Sequence, residues 1–225
     1  MTPSFPGQRQ KGPDRRSGKR FFSFVLPVLA LALAGSVANA HSPAPSTARS
    51  PVSAKDFPIS FGGPFTLVDH KGRERTDKDF RGRYLLVYFG YTFCPDICPT
   101  GLQTIGQAMD LLGKPAERVQ PVFISVDPGR DKPAVLKDYV GKFHPRLIGL
   151  TGSEKQVHDV AKAYRVFRAK VPLPDMPKDE YLVSHTPNTF LMGPDGEFVT
   201  LFPHGTEAET MAQSISRRLA ENPGS

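Results

Sequence analysis

Tryptophan is absent from the 225 residues, and cysteine occurs only twice. A lone pair of cysteines four positions apart excludes a disulfide-rich scaffold. It also falls short of the four ligands that a structural zinc site wants. No repeat with a period of roughly 20–50 residues is visible, which excludes a solenoid or propeller. The mature chain has little excess charge either. Residues 1–20 carry Arg9, Lys11, Arg15, Arg16, Lys19 and Arg20 against Asp14 alone, a net of +5, and residues 21–40 carry no charge; of the total of +7, only +2 is left for the rest. The high pI therefore gives no reason to expect a nucleic-acid partner. With 39% apolar residues and 16 Phe, the chain has enough material for a core and is neither wholly disordered nor a multi-span membrane protein. Its length suits one ordinary domain plus extras.

The uncharged stretch FFSFVLPVLALALAGSVANA, after the basic tail, reads as a targeting segment. Its final Ala38-Asn39-Ala40 offers a small-x-small cleavage pattern, while its length also just allows an uncleaved anchor, for which about 20 apolar residues are needed. Residues 1–40 are thus predicted to be a signal peptide or membrane anchor. Residues 41–56, rich in Ser, Pro and Ala, are predicted to be a flexible linker, and residues 57–222 the compact domain. On this reading the domain is exported, to a bacterial periplasm or the outer face of an inner membrane, and touches the membrane only through its N-terminal segment. In an oxidising compartment two neighbouring thiols close into a disulfide unless a reductant or a metal prevents it.

Along the domain, PFTLVDHKGRERT alternates apolar and polar residues around a turn, predicting a hairpin. The continuous apolar run RYLLVYFGY predicts a strand buried on both faces. The cysteine loop follows, and then an amphipathic helix through Leu102, Ile105, Met109 and Leu112, stopped by Gly113. RVQPVFISVD reads as a second buried strand, DKPAVLKDYVGKF as a helix capped by Asp131, and RLIGLTG as a short strand. SEKQVHDVAKAYRVF begins with the Ser153/Gln156 spacing of a capping box. KVPLPDMPKDEYLV reads as a proline-broken surface loop, NTFLMGPDGEFVTLF as a hairpin, and the last helix is expected to be capped by Thr206 and Glu209. Strands alternating with helices, with a cysteine pair where a buried strand turns into a helix, predict an α/β thioredoxin-like sandwich: a central mixed sheet flanked by helices, with an N-terminal hairpin extension.

The successive segments FCPDICPT, FISVDPGRD, IGLTG, VAKAYRVF, YLVSH and FLMGPDGEF resemble, in order, the motifs of the Sco/SenC family. The resemblance covers roughly residues 61–219. It implies a copper-binding protein that serves cytochrome c oxidase assembly.

Pro99 is comfortable at a first helical position, so the helix is expected to begin there, with Cys98 at its cap and Cys94 in the loop. Both sulfurs then lie near the positive end of a helix dipole, which favours thiolate. Three intervening residues, Pro95, Asp96 and Ile97, make a wider loop than the two of thioredoxin-type reductases. Such a loop suits two sulfurs gripping one ion, and thiolates select Cu(I). A third ligand is wanted, and six histidines are available. His41 lies in the linker, His70 in a turn, His144 and His158 in or beside helices, and His204 after the last strand. His185 precedes a strand expected to end beside the cysteine loop, and the resemblance places the family's copper-binding histidine there. The implied metal site is Cys94, Cys98 and neutral His185, holding Cu(I) and, with a further ligand, Cu(II). Asp127, ending the second buried strand, either supports this site or simply turns the chain. Asp96 either tunes the sulfurs or sits in solvent, and Met176, although it carries a sulfur, is expected to serve ordinary packing. Two departures from the family pattern stand out: Ser184 where many members carry aspartate, and Thr186-Pro187, where thioredoxins keep a cis-proline.

Two functions compete. One is copper delivery to the dinuclear copper site of cytochrome c oxidase subunit II, with other periplasmic copper carriers or thiol reductants as further partners. The other is a thiol–disulfide reductase, with Cys94 attacking, Cys98 resolving and the oxidase's copper-ligand cysteines as substrate. A thiol peroxidase fits less well, because the threonine and proline that precede a peroxidatic cysteine are out of place.

Overall fold

The computed structural model describes residues 52–53, 60–174, 177 and 180–222. The predicted targeting segment, most of the linker, His41 and Met176 lie outside them. The elements are β1 (Val52–Ser53), β2 (Thr66–Asp69), β3 (Glu74–Thr76), β4 (Tyr84–Gly90), α1 (Ile97–Leu112), β5 (Val119–Ser125), α2 (Pro133–Val140), β6 (Ile148–Thr151), α3 (Glu154–Ala163), β7 (Arg168–Pro172), β8 (Tyr181–His185), β9 (Thr189–Met192), β10 (Phe198–Phe202) and α4 (Ala208–Glu221).

Strands β4 and β5 are buried at every position, as their unbroken apolar sequences require. They pair in parallel across the α1 crossover, and β6 joins β5 in parallel across α2. The sheet extends antiparallel on both sides, giving the order β1-β10-β9-β4-β5-β6-β2-β3. This is the mixed sheet of a thioredoxin-like fold, with the β2–β3 hairpin at one edge. Helix α1 buries Leu102, Ile105, Met109 and Leu112 at the expected three-and-four spacing and packs against α4. The capping box of α3 forms as predicted: Gln156 N–H donates to Ser153 Oγ, and Ser153 N–H donates to Gln156 Oε1 at 2.8 Å.

Four local expectations are corrected. Helix α1 starts at Ile97, with Asp96 at the N-cap position, so Pro99 is its third residue. An N–H there has no intrahelical partner in any case, and proline costs nothing. Asp131 does not cap α2; Lys132 holds that position with Pro133 inside the first turn, and Asp131 is buried among other partners. The cap of α4 is Glu207, while the Thr206 hydroxyl donates to the Pro203 carbonyl at 2.8 Å. The proline-broken segment is not simply a loop. Its ends form β7 and β8, a two-stranded antiparallel sheet separate from the main one, with Arg168 opposite His185.

Candidate metal centre

Strand β4 delivers the chain to the site and Gly90 lets it arrive. A Cβ on Gly90 would stand 2.7 Å from the Phe123 ring and 2.9 Å from Cys98 Sγ, so only glycine leaves room for the sulfur. The loop then rises through Tyr91 and Thr92 to Cys94, and turns into α1 so that Cys98 faces inward from the first helical turn. Cys98 is fully buried, and Cys94 is 9% exposed. The Cys98 backbone N–H donates to Cys94 Sγ at 3.4 Å.

His185 closes the site from the far end of β8. Its Nε2 lies 3.4 Å from Cys98 Sγ, and the ligand atoms of Cys94, Cys98 and His185 all fall within 4.8 Å of one another. On the other side of the ring, Nδ1 lies 3.2 Å from the Thr186 carbonyl. A carbonyl only accepts, so Nδ1 donates there, and this fixes the ring so that Nε2 faces the sulfurs, the orientation a metal ligand needs. The Tyr91 ring stands edge-on against the imidazole with centroids 5.9 Å apart.

The two sulfurs differ in acidity. The hydrogen bond from the Cys98 thiol, helped by His185 and the backbone N–H groups of Asp96 and Cys98, outweighs burial and draws Cys94 down to about 3. The same shared bond, with burial, pushes Cys98 up. The shared bond thus favours negative charge on Cys94 over Cys98. Both cysteines are free thiols, so the disulfide expected of an oxidising compartment is not formed in this structure. A cavity of about 340 Å³ opens onto the site, lined by Tyr91, Cys94, Ile97, Val171, Leu182 and His185 among others.

Thus the structure brings together the three residues singled out in the sequence. Among the described residues no other group of three or more His, Cys, Asp or Glu is gathered closely enough to hold a metal. His70 instead accepts from Gly149 N–H at 3.0 Å, and His144 faces Asp110 at 3.7 Å. Asp96 occupies the N-cap position of α1, but its side chain is exposed and makes no capping bond. Asp127 is fully buried, but its carboxylate is directed at Tyr181 and Arg130. Ser184 is exposed, and the Thr186–Pro187 bond is trans. Sequence reasoning missed Thr92, Arg130, Asp131 and Tyr181. Of these, only Arg130 and Asp131 carried a signal, as charged residues inside a motif already noted.

Residues 53–220 match the family model described as SCO1/SenC. The chain belongs to the SCO1/SenC family. Among SCO1/SenC relatives it is 42% identical over 160 residues to the human "Protein SCO1 homolog, mitochondrial", and 45% identical over 163 residues to the mouse "Protein SCO2 homolog, mitochondrial". Each match covers 70% of this chain, but only 52% of the human protein and 62% of the mouse protein, so the chain spans little more than half the length of these relatives. Two solved SCO1/SenC structures superpose closely. Arabidopsis thaliana ScoI with copper bound gives a TM-score of 0.67 at 38% identity, covering 72% of this chain and 99% of that one. Bradyrhizobium japonicum ScoI with copper bound gives 0.65 at 43% identity, covering 70% and 98%. The family and the thioredoxin-like fold expected from the sequence are both borne out. The expected location is not. The human and mouse relatives are named as mitochondrial, which overturns the placement in a bacterial periplasm or on the outer face of an inner membrane. Among the described residues, no helix is long and apolar enough to cross a membrane.

Proposed function

We propose that this SCO1/SenC protein carries one copper ion on Cys94 Sγ, Cys98 Sγ and His185 Nε2 and hands it to the dinuclear copper site of cytochrome c oxidase subunit II. The observation that carries the proposal is the convergence of those three atoms within 4.8 Å beside an open cavity. Two thiolates and a neutral imidazole form a soft donor set that favours Cu(I) over hard cations. The copper-bound relatives from Arabidopsis and Bradyrhizobium support copper as the cargo. Loading releases the proton that Cys98 holds, because a ligating sulfur must be a thiolate. Hand-over fits the site's mouth: Cys94 is the sulfur that keeps some exposure, so an incoming ligand can reach the metal from that side while Cys98 and His185 still hold it. Titrating the reduced protein with Cu(I) should give one copper per chain. His185→Ala should weaken binding at least about tenfold, and unchanged affinity in that variant would remove His185 from the site.

The second reading, a thiol–disulfide reductase, draws on the same asymmetry. The partly exposed Cys94 accepts a backbone N–H and suits attack, while the buried Cys98 beside it suits resolution. It needs no imidazole, so reductase turnover that survives His185→Ala in a protein unable to bind copper would favour it.

A further inference from the structure

The halves of the metal centre are far apart in the chain, with 87 positions between Cys98 and His185. They also belong to different sheets. The cysteine loop follows β4 of the main sheet, whereas His185 ends β8 of the separate two-stranded sheet. Among the described residues β8 shares no β-ladder with the main sheet; after His185 the chain returns through residues 186–188 to β9, where Thr189 pairs with Tyr88 of β4, and the turn after β5, residues 127–131, grips both halves.

On the imidazole side, the Tyr181 hydroxyl, at the start of β8, donates to Asp127 Oδ1 at 2.8 Å. Arg130 Nε donates to the other carboxylate oxygen at 2.5 Å. The Arg130 guanidinium lies 3.8 Å from the centre of the Tyr181 ring and 4.8 Å from that of Phe93, in the cysteine loop. One planar cation thus sits between the hairpin and the loop. On the sulfur side, Asp131 accepts from the Thr92 hydroxyl at 2.6 Å and the Thr92 N–H at 3.1 Å, and from the Ser125 hydroxyl at 2.6 Å. Thr92 is two residues before Cys94. Asp127 and Asp131 are both fully buried, and burying two carboxylates four residues apart is costly unless every bond they make is kept. Packing alone would be served by apolar residues. A pair of carboxylates aimed one at each half of the site serves to fix geometry.

We infer that the 127–131 turn is a clamp that sets the spacing of the metal site. Asp127 and Arg130 position His185 through Tyr181, and Asp131 positions Cys94 through Thr92. The inference rests on the copper-site reading above. It assigns Asp127, Arg130, Asp131 and Tyr181 as positioning residues, none of which touches the metal.

Tyr181→Phe removes only the hydroxyl that reaches Asp127. The expected result is one Cu(I) still bound per chain, with release to a competing chelator about tenfold faster, as for other residues that orient a metal ligand. Arg130→Lys, which keeps the charge but loses the planar stack, should act in the same direction and provides a second variant if the first folds poorly. The decisive arm combines Tyr181→Phe with His185→Ala. A residue that works through the imidazole has nothing left to position once the imidazole is gone, so the double variant should release copper no faster than His185→Ala alone. Release unchanged in both single variants, or losses that simply multiply in the double variant, would overturn the clamp. Failure of the parent protein to bind copper, or indifference of its binding to His185→Ala, would instead overturn the underlying metal-site reading and take the clamp with it.

Discussion

Asp69 shows how a buried charge is held in this fold. It ends β2 with its side chain 1% exposed. Burial alone would raise its pKa, but the backbone N–H groups of Arg73 and Lys71 and the side chains of Arg75 and Arg73 more than reverse this, to about 2 from an ordinary 3.8. A carboxyl with a depressed folded-state pKa stabilises the fold fully above its unfolded value. That contribution is lost as the pH falls through the folded value, here between roughly pH 4 and pH 2. Asp69→Asn should cost about 2 kcal/mol at neutral pH and flatten the acid limb of the stability curve over that window. Urea unfolding at a series of pH values checks this; an unaltered acid limb would show that the arginines do not stabilise the ionised form. At the same scale, the pairing of Cys94 with Cys98 was legible from their spacing, whereas His185, one of six histidines, was singled out by the strand it adjoins and by the family resemblance, and the structure brings the three together. The role of Asp131 was not legible. Followed by Lys-Pro, it has the local look of a helix cap, and only the fold reveals that its carboxylate turns back to Thr92 and Ser125.

At the scale of elements, the site depends on how β4 gives way to α1. Gly90 is where strand, loop and helix come closest, and Gly90→Ala would press a methyl group against both Phe123 and Cys98 Sγ. Overpacking of this kind costs about 1–3 kcal/mol and should also displace the sulfur. The variant should thus lose both unfolding free energy and copper affinity; a loss of stability with full affinity would mean that Cys98 is free to shift. The elements legible in advance were those with a strong period: the fully buried β4 and β5, the three-and-four spacing of α1, and the capping box of α3. The β7–β8 hairpin was not, although it carries His185. The residues of β7 run from half-buried to exposed and none is buried, so the strand shows no alternation of inward and outward positions, and the prolines around it give the look of a loop. Its pairing is decided by the backbone and by contacts such as Tyr181 with Asp127, which lie 54 positions apart.

For the whole molecule, the thioredoxin-like frame does two things that no local pattern announces. It brings the end of β4 beside the end of β8, and it leaves the resulting site at the edge of the core with one side open to a surface cavity. Cys98 is sealed, while Cys94 and His185 face a cavity whose rim includes the exposed Ile97 and Val171. A carrier needs both features, since the metal must be held from within and reached from outside. The order of strands and helices conveyed the fold, but the hairpin's approach to the cysteine loop is tertiary, set by the clamp after β5. The central claim is that one copper ion shares two sulfurs and one imidazole nitrogen. X-ray absorption at the copper edge of the Cu(I)-loaded protein tests it most directly. The account predicts two sulfur neighbours and one nitrogen neighbour, with the nitrogen lost in His185→Ala; a shell of sulfur alone in the parent protein, or a nitrogen that survives the substitution, would contradict it.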